Sequence, residues 1–208
     1  MQNAPRARRI RILGIDPAAA GPTGYGIVEA EGRKCRALHF GALKVSEKRK
    51  ESVGAALEAV HDLICSLIQE FSPDALAVES IFSALNVKTA LRLAEVRGVV
   101  LLAASQHQVE VFSYAPREIK ASVAGYGNAD KRQVQRMVRA LLAMTEIPEP
   151  SDAADALAVA MCHLQTDAVR TRFGTAVIPL SGKSASRSTS ARAAAATQTT
   201  PSRISSLR

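Results

Sequence analysis

The chain has 208 residues, 47% of them hydrophobic, which suffices for one domain with a complete core and polar extensions. No apolar run approaches the roughly 20 residues of a membrane span, and the opening MQNAPRARRIRI lacks the apolar stretch of a secretory signal. Cys35, Cys65 and Cys162 have no CxxC spacing; this argues against a zinc site or disulfide framework and points to a reducing, cytoplasmic setting. The net charge of +8 resides in the ends: residues 1–11 and 167–208 hold eleven of the 27 basic residues and one of the 19 acidic ones. The body between them is slightly acidic. Basic ends suit attraction to a polyanion and solubilisation equally well.

In chain order, RIRILGID (9–16) predicts a β-branched strand ended by Asp-Pro, AAAGPTG a turn, GYGIVEAE a second strand and RALHFGALKV a third, joined by short hairpin links. Val53, Leu57, Val60, Ile64 and Ile68 recur with helical spacing over 51–71. Ser72-Pro73-Asp74 then turns the chain into ALAVES, a continuous apolar strand of the kind buried on both faces. A helix over 86–106, a fifth strand VEVFSYA and helices near 129–144 and 152–165 follow, the last two separated by IPEP. From about residue 175 the sequence is Ser, Thr, Ala and Arg with almost no large apolar side chain, too little to support order. The expected organisation is a basic extension at 1–8, one domain over 9–167 and a disordered basic tail at 168–208. Hairpin strands followed by strand–helix alternation predict a mixed α/β sheet of five strands with helices on both faces.

Four carboxylates stand out. Asp16 closes the first strand and Glu79 the fourth, at the carboxyl ends where α/β sheets collect ligands. Asp152 and Asp155 lie in the first turn of the last helix, three apart and so on one face, with Ser151 as the expected N-cap. Each has an ordinary structural explanation by itself, since acids at a helix start gain about 0.3–1 kcal/mol from the helix dipole. Should strands one and four be parallel neighbours, however, Asp16 and Glu79 meet, and the last helix can aim both aspartates at them. Carboxylates at 4 Å repel by about 4 kcal/mol per pair at an effective dielectric near 20. Such a cluster requires protons or cations. Hard oxygen ligands suit Mg²⁺, with Mn²⁺ as a substitute, and two such ions can drive phosphodiester hydrolysis. Ala153, Ala154 and Ala156 would let the helix approach the sheet.

LGIDP…TGYG (13–26), VESIF (78–82), the helix from Asn86 through Arg97-Gly98, APREIK (115–120), DKRQVQRMV (130–138) and DAADALAVA (152–160) together resemble the RuvC-type Holliday junction resolvases. The resemblance spans nearly the whole expected domain, in order. It implies a ribonuclease H-like fold in which Asp16, Glu79, Asp152 and Asp155 carry two Mg²⁺ per subunit. It also implies in-line attack of water on the scissile phosphorus, leaving 5′-phosphate and 3′-hydroxyl ends. A homodimer nicking opposed strands of a four-way junction, pairing through the 86–104 helix, and a branch-migration helicase as partner are implied likewise. Two departures concern loop and helix detail rather than carboxylates: Ala18 replaces the usual glycine after Asp-Pro in a loop one residue longer, and the helix reads LAEVRG.

On the 130–142 helix, Val134, Met137, Val138 and Leu141 form one side, and Lys131, Arg132, Gln135, Arg136 and Arg139 a basic stripe suited to a phosphate backbone. The resemblance assigns DNA contacts to Lys120 and Lys131, with Arg117 and Arg132 as further candidates, and base stacking to Phe82; Tyr126 could stack similarly. No histidine is assigned to a metal. Two other readings compete. One is a nuclease of the same fold acting on RNA–DNA hybrid or structured RNA; the other is a junction-binding protein without catalysis. An actin-like ATPase would need a second such domain, for which there is no room.

Overall fold

Asp74, in the turn before the fourth strand, sets the register on which the site depends. Its Oδ2 accepts from the Arg11 backbone N–H at 2.9 Å, and Arg11 reaches the Phe71 carbonyl at 2.8 Å. These bonds pin the start of the first strand against the start of the fourth. The computed structural model describes residues 8–18, 21–44, 52–80 and 86–173. Its elements are β1 (Arg9–Asp16), β2 (Thr23–Glu31), β3 (Lys34–Leu43), α1 (Val53–Phe71), β4 (Ala75–Glu79), α2 (Val87–Gln106), β5 (Glu110–Tyr114), α3 (Pro116–Ala124), α4 (Lys131–Leu141) and α5 (Ser151–Phe173). The sheet order is β3-β2-β1-β4-β5, with β1–β2 and β2–β3 antiparallel and β1–β4 and β4–β5 parallel. The mixed five-stranded expectation holds.

Strand alternation divides the core in two. Leu13, Ile15, Ile27, Leu76 and Val78 point to one face and pack with Val60, Ile64, Val100 and Ala103 of α1 and α2. Ile12, Val28, Ala77 and Phe112 point to the other, against Ile119 of α3, Val134 and Val138 of α4, and Leu157 to Cys162 of α5. Each large aliphatic side chain fully buried here contributes about 1.5–3 kcal/mol. By the same parity Asp16 and Glu79 face α5. A slip of one residue between β1 and β4 would turn Glu79 to the wrong side.

Four sequence expectations need adjusting. The helix α3 was missed: its nine residues are too short to show a periodic stripe, although Pro116 at its start and Glu118, whose carboxylate accepts from the Ala115 N–H at 2.7 Å, mark a helix head. Ser151 is the first helical residue rather than the N-cap, and the Pro150 carbonyl accepts from Ala153. Finally, α5 runs on to Phe173, past the expected domain end at Asp167, and Leu141 is 41% exposed rather than part of the inner face of α4.

Candidate active site

Parallel pairing of Ile15 with Val78 puts the next residues, Asp16 and Glu79, side by side at the carboxyl ends of β1 and β4. On β2, Gly24 lies opposite Asp16. A Cβ on Gly24 would strike the Asp152 carbonyl, and one on Gly14 would strike the Ala156 carbonyl and lie 2.8 Å from the Ala160 nitrogen. The head of α5 therefore rests directly on sheet backbone. The alanines expected to allow this approach are buried, but the sheet contributes as much by lacking side chains at Gly14 and Gly24. The glycines of LGID and TGYG were the available signal.

The four acids interact. Asp16 has its pKa pushed up to about 8, first by burial, then by the charges of Glu79 and Asp155, a hydrogen bond shared with Glu79 and the charge of Asp152. Glu79 is also raised, chiefly by burial and in part by Asp155, while the Asp16 hydrogen bond, Lys120 and Lys131 oppose the shift. Lys131 Nζ lies 2.7 Å from Asp155 Oδ2, and this contact raises the lysine pKa. It sits there because Asp130 caps α4, accepting from the Gln133 N–H at 2.8 Å, so Lys131 is the first helical residue. A proton between Asp16 and Glu79 and an ammonium on Asp155 thus offset the crowding of negative charge. With Lys131 on Asp155, no three His, Cys, Asp or Glu side chains among the described residues converge closely enough to enclose one ion. The acids are gathered, with Lys131 as the counter-charge of Asp155.

The expected DNA contacts divide. Lys120 and Lys131 both act electrostatically on Glu79, so they border the acidic site rather than a separate groove. Arg117 and Arg132 are exposed. Tyr126 is 48% exposed, its hydroxyl donating to Gln133 Oε1 at 2.5 Å. Phe82 lies outside the described residues. Among the histidines, His163 is buried: its Nδ1 shares a 2.7 Å hydrogen bond with the Tyr114 hydroxyl, its ring packs 4.5 Å from Phe112, and burial lowers its pKa to about 4.

A sheet with two hairpin pairings and two parallel ones, carrying acids at the ends of its central strands beneath an acidic helix head, is the architecture of a ribonuclease H-like nuclease. The family model for crossover junction endodeoxyribonuclease RuvC matches residues 12–163. The chain is similar to the crossover junction endodeoxyribonucleases RuvC of Natranaerobius thermophilus, at 46% identity over 78% of this chain and 99% of the relative, and of Halothermothrix orenii, at 44% over 79% and 98%. Among solved structures it resembles Thermus thermophilus RuvC, with a TM-score of 0.72 and 36% identity over 82% of this chain and 100% of that one. It also resembles T. thermophilus RuvC in complex with Holliday junction substrate, with a TM-score of 0.73 and 35% identity over 82% and 99%. The chain belongs to the RuvC family, and it is a crossover junction endodeoxyribonuclease, a Holliday junction resolvase. The RNA-directed nuclease and the non-catalytic binder give way to it. No helix among the described residues is long and apolar enough to cross a membrane.

Proposed function

We propose that the enzyme binds four-way junction DNA as a homodimer and nicks two opposed strands symmetrically, with Asp16, Glu79, Asp152 and Asp155 holding two Mg²⁺ in each subunit. The observation that carries the reading is the meeting of Asp16 and Glu79 on adjacent parallel strands under the head of α5. The donor set fits the ions: all ligands are hard carboxylate oxygens, with an electrostatic cost that a divalent cation removes. A pair of such ions, when bound, supplies an activated water and stabilises the leaving oxygen of the phosphodiester. Mn²⁺ would substitute. Hydrolysis leaves 5′-phosphate and 3′-hydroxyl ends.

The chain's own residues have separable duties. Asp16 and Glu79 form the floor and Asp152 and Asp155 one wall. Lys131 is held on Asp155 before substrate arrives and is free to turn to a phosphate once a cation replaces it there. Lys120, Arg117 and Arg132 contact the DNA backbone, and Phe82 stacks on a base beside the crossover. For pairing, α2 offers Val87, Leu91, Ala94, Gly98 and Leu102, all exposed, at the spacing of a continuous helix stripe. A branch-migration helicase is the expected further partner. The cutting unit is the domain expected at 9–167 together with the rest of α5 to Phe173, and the tail at 175–208 is not needed for it.

Incubating the protein with Mg²⁺ and end-labelled four-way junction, linear duplex or RNA–DNA hybrid tests this reading. Paired nicks confined to the junction are expected. Cleavage of the hybrid alone, or a shifted but intact junction, would overturn it.

A further inference from the structure

The face of the sheet behind the acids carries a group that neither the chemistry nor the DNA contacts use. Arg97 lies in the middle of α2, on the opposite side of the sheet from α5. Its NH2 donates to Ser113 Oγ at 2.9 Å and its NH1 to the Glu79 backbone carbonyl at 3.3 Å. Ser113 pairs with Val78, the residue before the acid, and the other bond falls on the carbonyl of the acid itself. One planar guanidinium thereby clasps the carboxyl ends of β4 and β5 at the point where the chain leaves the sheet. The Ser80 N–H donates to the Tyr114 carbonyl at 2.8 Å just beyond, closing the same strand end from within the sheet.

The guanidinium is half-buried, and burial lowers its pKa, so holding it against two neutral acceptors opposes its desolvation. Apart from Arg97, the described side-chain hydrogen bonds of α2 serve its own cap, Asn86 to Thr89, or reach His61 of α1 through Gln106. No comparable tie holds the carboxyl end of β1 from this face among the described residues. The one acid on β4 has a brace, and the brace comes from the helix with the exposed apolar stripe.

We infer that Arg97 is a positioning residue: by gripping the Glu79 carbonyl and Ser113 from behind the sheet, it fixes the direction of the Glu79 carboxylate toward the divalent ions. The inference rests on the metal-site reading above. Lysine at this position would keep the charge and lose the fork, since its ammonium is a point donor rather than a planar pair. Supporting groups behind a metal ligand are typically worth about 10- to 100-fold in affinity or turnover.

The test uses the full chain. Mn²⁺ binding is measured by calorimetry without DNA, and kcat, KM and junction Kd are measured in Mg²⁺, for Arg97→Gln, Arg97→Lys, Ser113→Ala and the Arg97→Gln/Ser113→Ala double variant. Arg97→Gln should weaken Mn²⁺ binding and lower kcat by about 10-fold each, with junction Kd unchanged. Ser113→Ala should fall between it and the parent, Arg97→Lys should restore only part, and the double variant should be no worse than Arg97→Gln. Parental Mn²⁺ affinity and kcat in Arg97→Gln would overturn the inference. Should that variant fail to fold, unchanged Mn²⁺ affinity in Ser113→Ala would overturn it instead. Glu79→Gln separates the two levels. If it leaves Mn²⁺ binding intact, the metal site itself is wrong; if it abolishes binding while the Arg97 variants do not weaken it, only the positioning role fails.

Discussion

Glu29 and the Asp16–Glu79 pair are carboxylates of one sheet with opposite electrostatics. Glu29, on β2, is 3% exposed and lies across from Arg11 on β1 and Arg36 on β3. Its Oε2 accepts from Arg11 Nε at 2.9 Å, and its Oε1 from Arg36 at 2.6 and 3.0 Å, so these hydrogen bonds hold its pKa below the usual carboxylate value. Asp16 and Glu79, a few residues along the same sheet, are raised by burial and by each other. Among the described residues, arginines flank the buried acid Glu29 and not the Asp16–Glu79 pair. The difference teaches that unmet negative charge, rather than the mere presence of buried acids, marks the functional end of this sheet.

The sharpest way to break that comparison is Asp155→Asn. It should reduce junction cleavage by on the order of a thousandfold while junction binding in a mobility-shift assay persists; retained turnover would remove Asp155 from the site. Next in size is an acid effect elsewhere on the α5 face. His163 titrates at about 4 against an ordinary 6.5, so the unfolded chain takes up a proton that the folded one refuses. Stability should fall as pH drops from about 6.5 to about 4, by about 3 kcal/mol, in denaturant titrations at stepped pH. His163→Gln should flatten that slope. Glu29, whose pKa is lowered, contributes stability that is present above its unfolded value of 4.5 and lost as pH falls through its folded value, a lower window that His163→Gln leaves in place.

Smaller, and aimed at the contrast itself, is the pair Glu29→Gln and Asp16→Asn in divalent-free buffer. The first should lower thermal stability by about 1–2 kcal/mol through weakened charged hydrogen bonds. The second should raise it, because asparagine is neutral in both states whereas the buried Asp16 has to take up a proton on folding; a fall in both would erase the distinction. At roughly 2–4 °C per kcal/mol for a chain of this size, a melting scan resolves the signs. The smallest effect expected is in Lys131→Ala, which should reduce the slope of log affinity against log salt for a junction by about one. An unchanged slope would confine Lys131 to its partnership with Asp155.

Legibility in the sequence followed the range of the interactions. Strand RIRILGID was readable to the residue because β-branched alternation and Asp-Pro act locally. Helix α3 was not, because nine residues with two buried positions leave no periodic signature. The carboxylates were found as residues of a chemical type at the ends of elements, and six short matches in order supplied their family. Lys131 was legible only as one member of a basic stripe. Its contact with Asp155 arises where the capped start of α4 comes up against α5, a relation between helices that no local pattern encodes.

The sequence by itself determined the element types apart from α3, the hairpin-then-parallel order, the four acids and the resolvase family, since these depend on periodicity, turn chemistry and residue identity. Only the tertiary structure decided that Asp74 pins the register of β1 to β4, that bare glycine backbone seats the head of α5, that Lys131 neutralises Asp155 and that Arg97 braces Glu79 from behind. The reason is physical: each of these contacts joins residues distant in the chain through backbone atoms or side-chain directions, which acquire positions only once the sheet has twisted and packed.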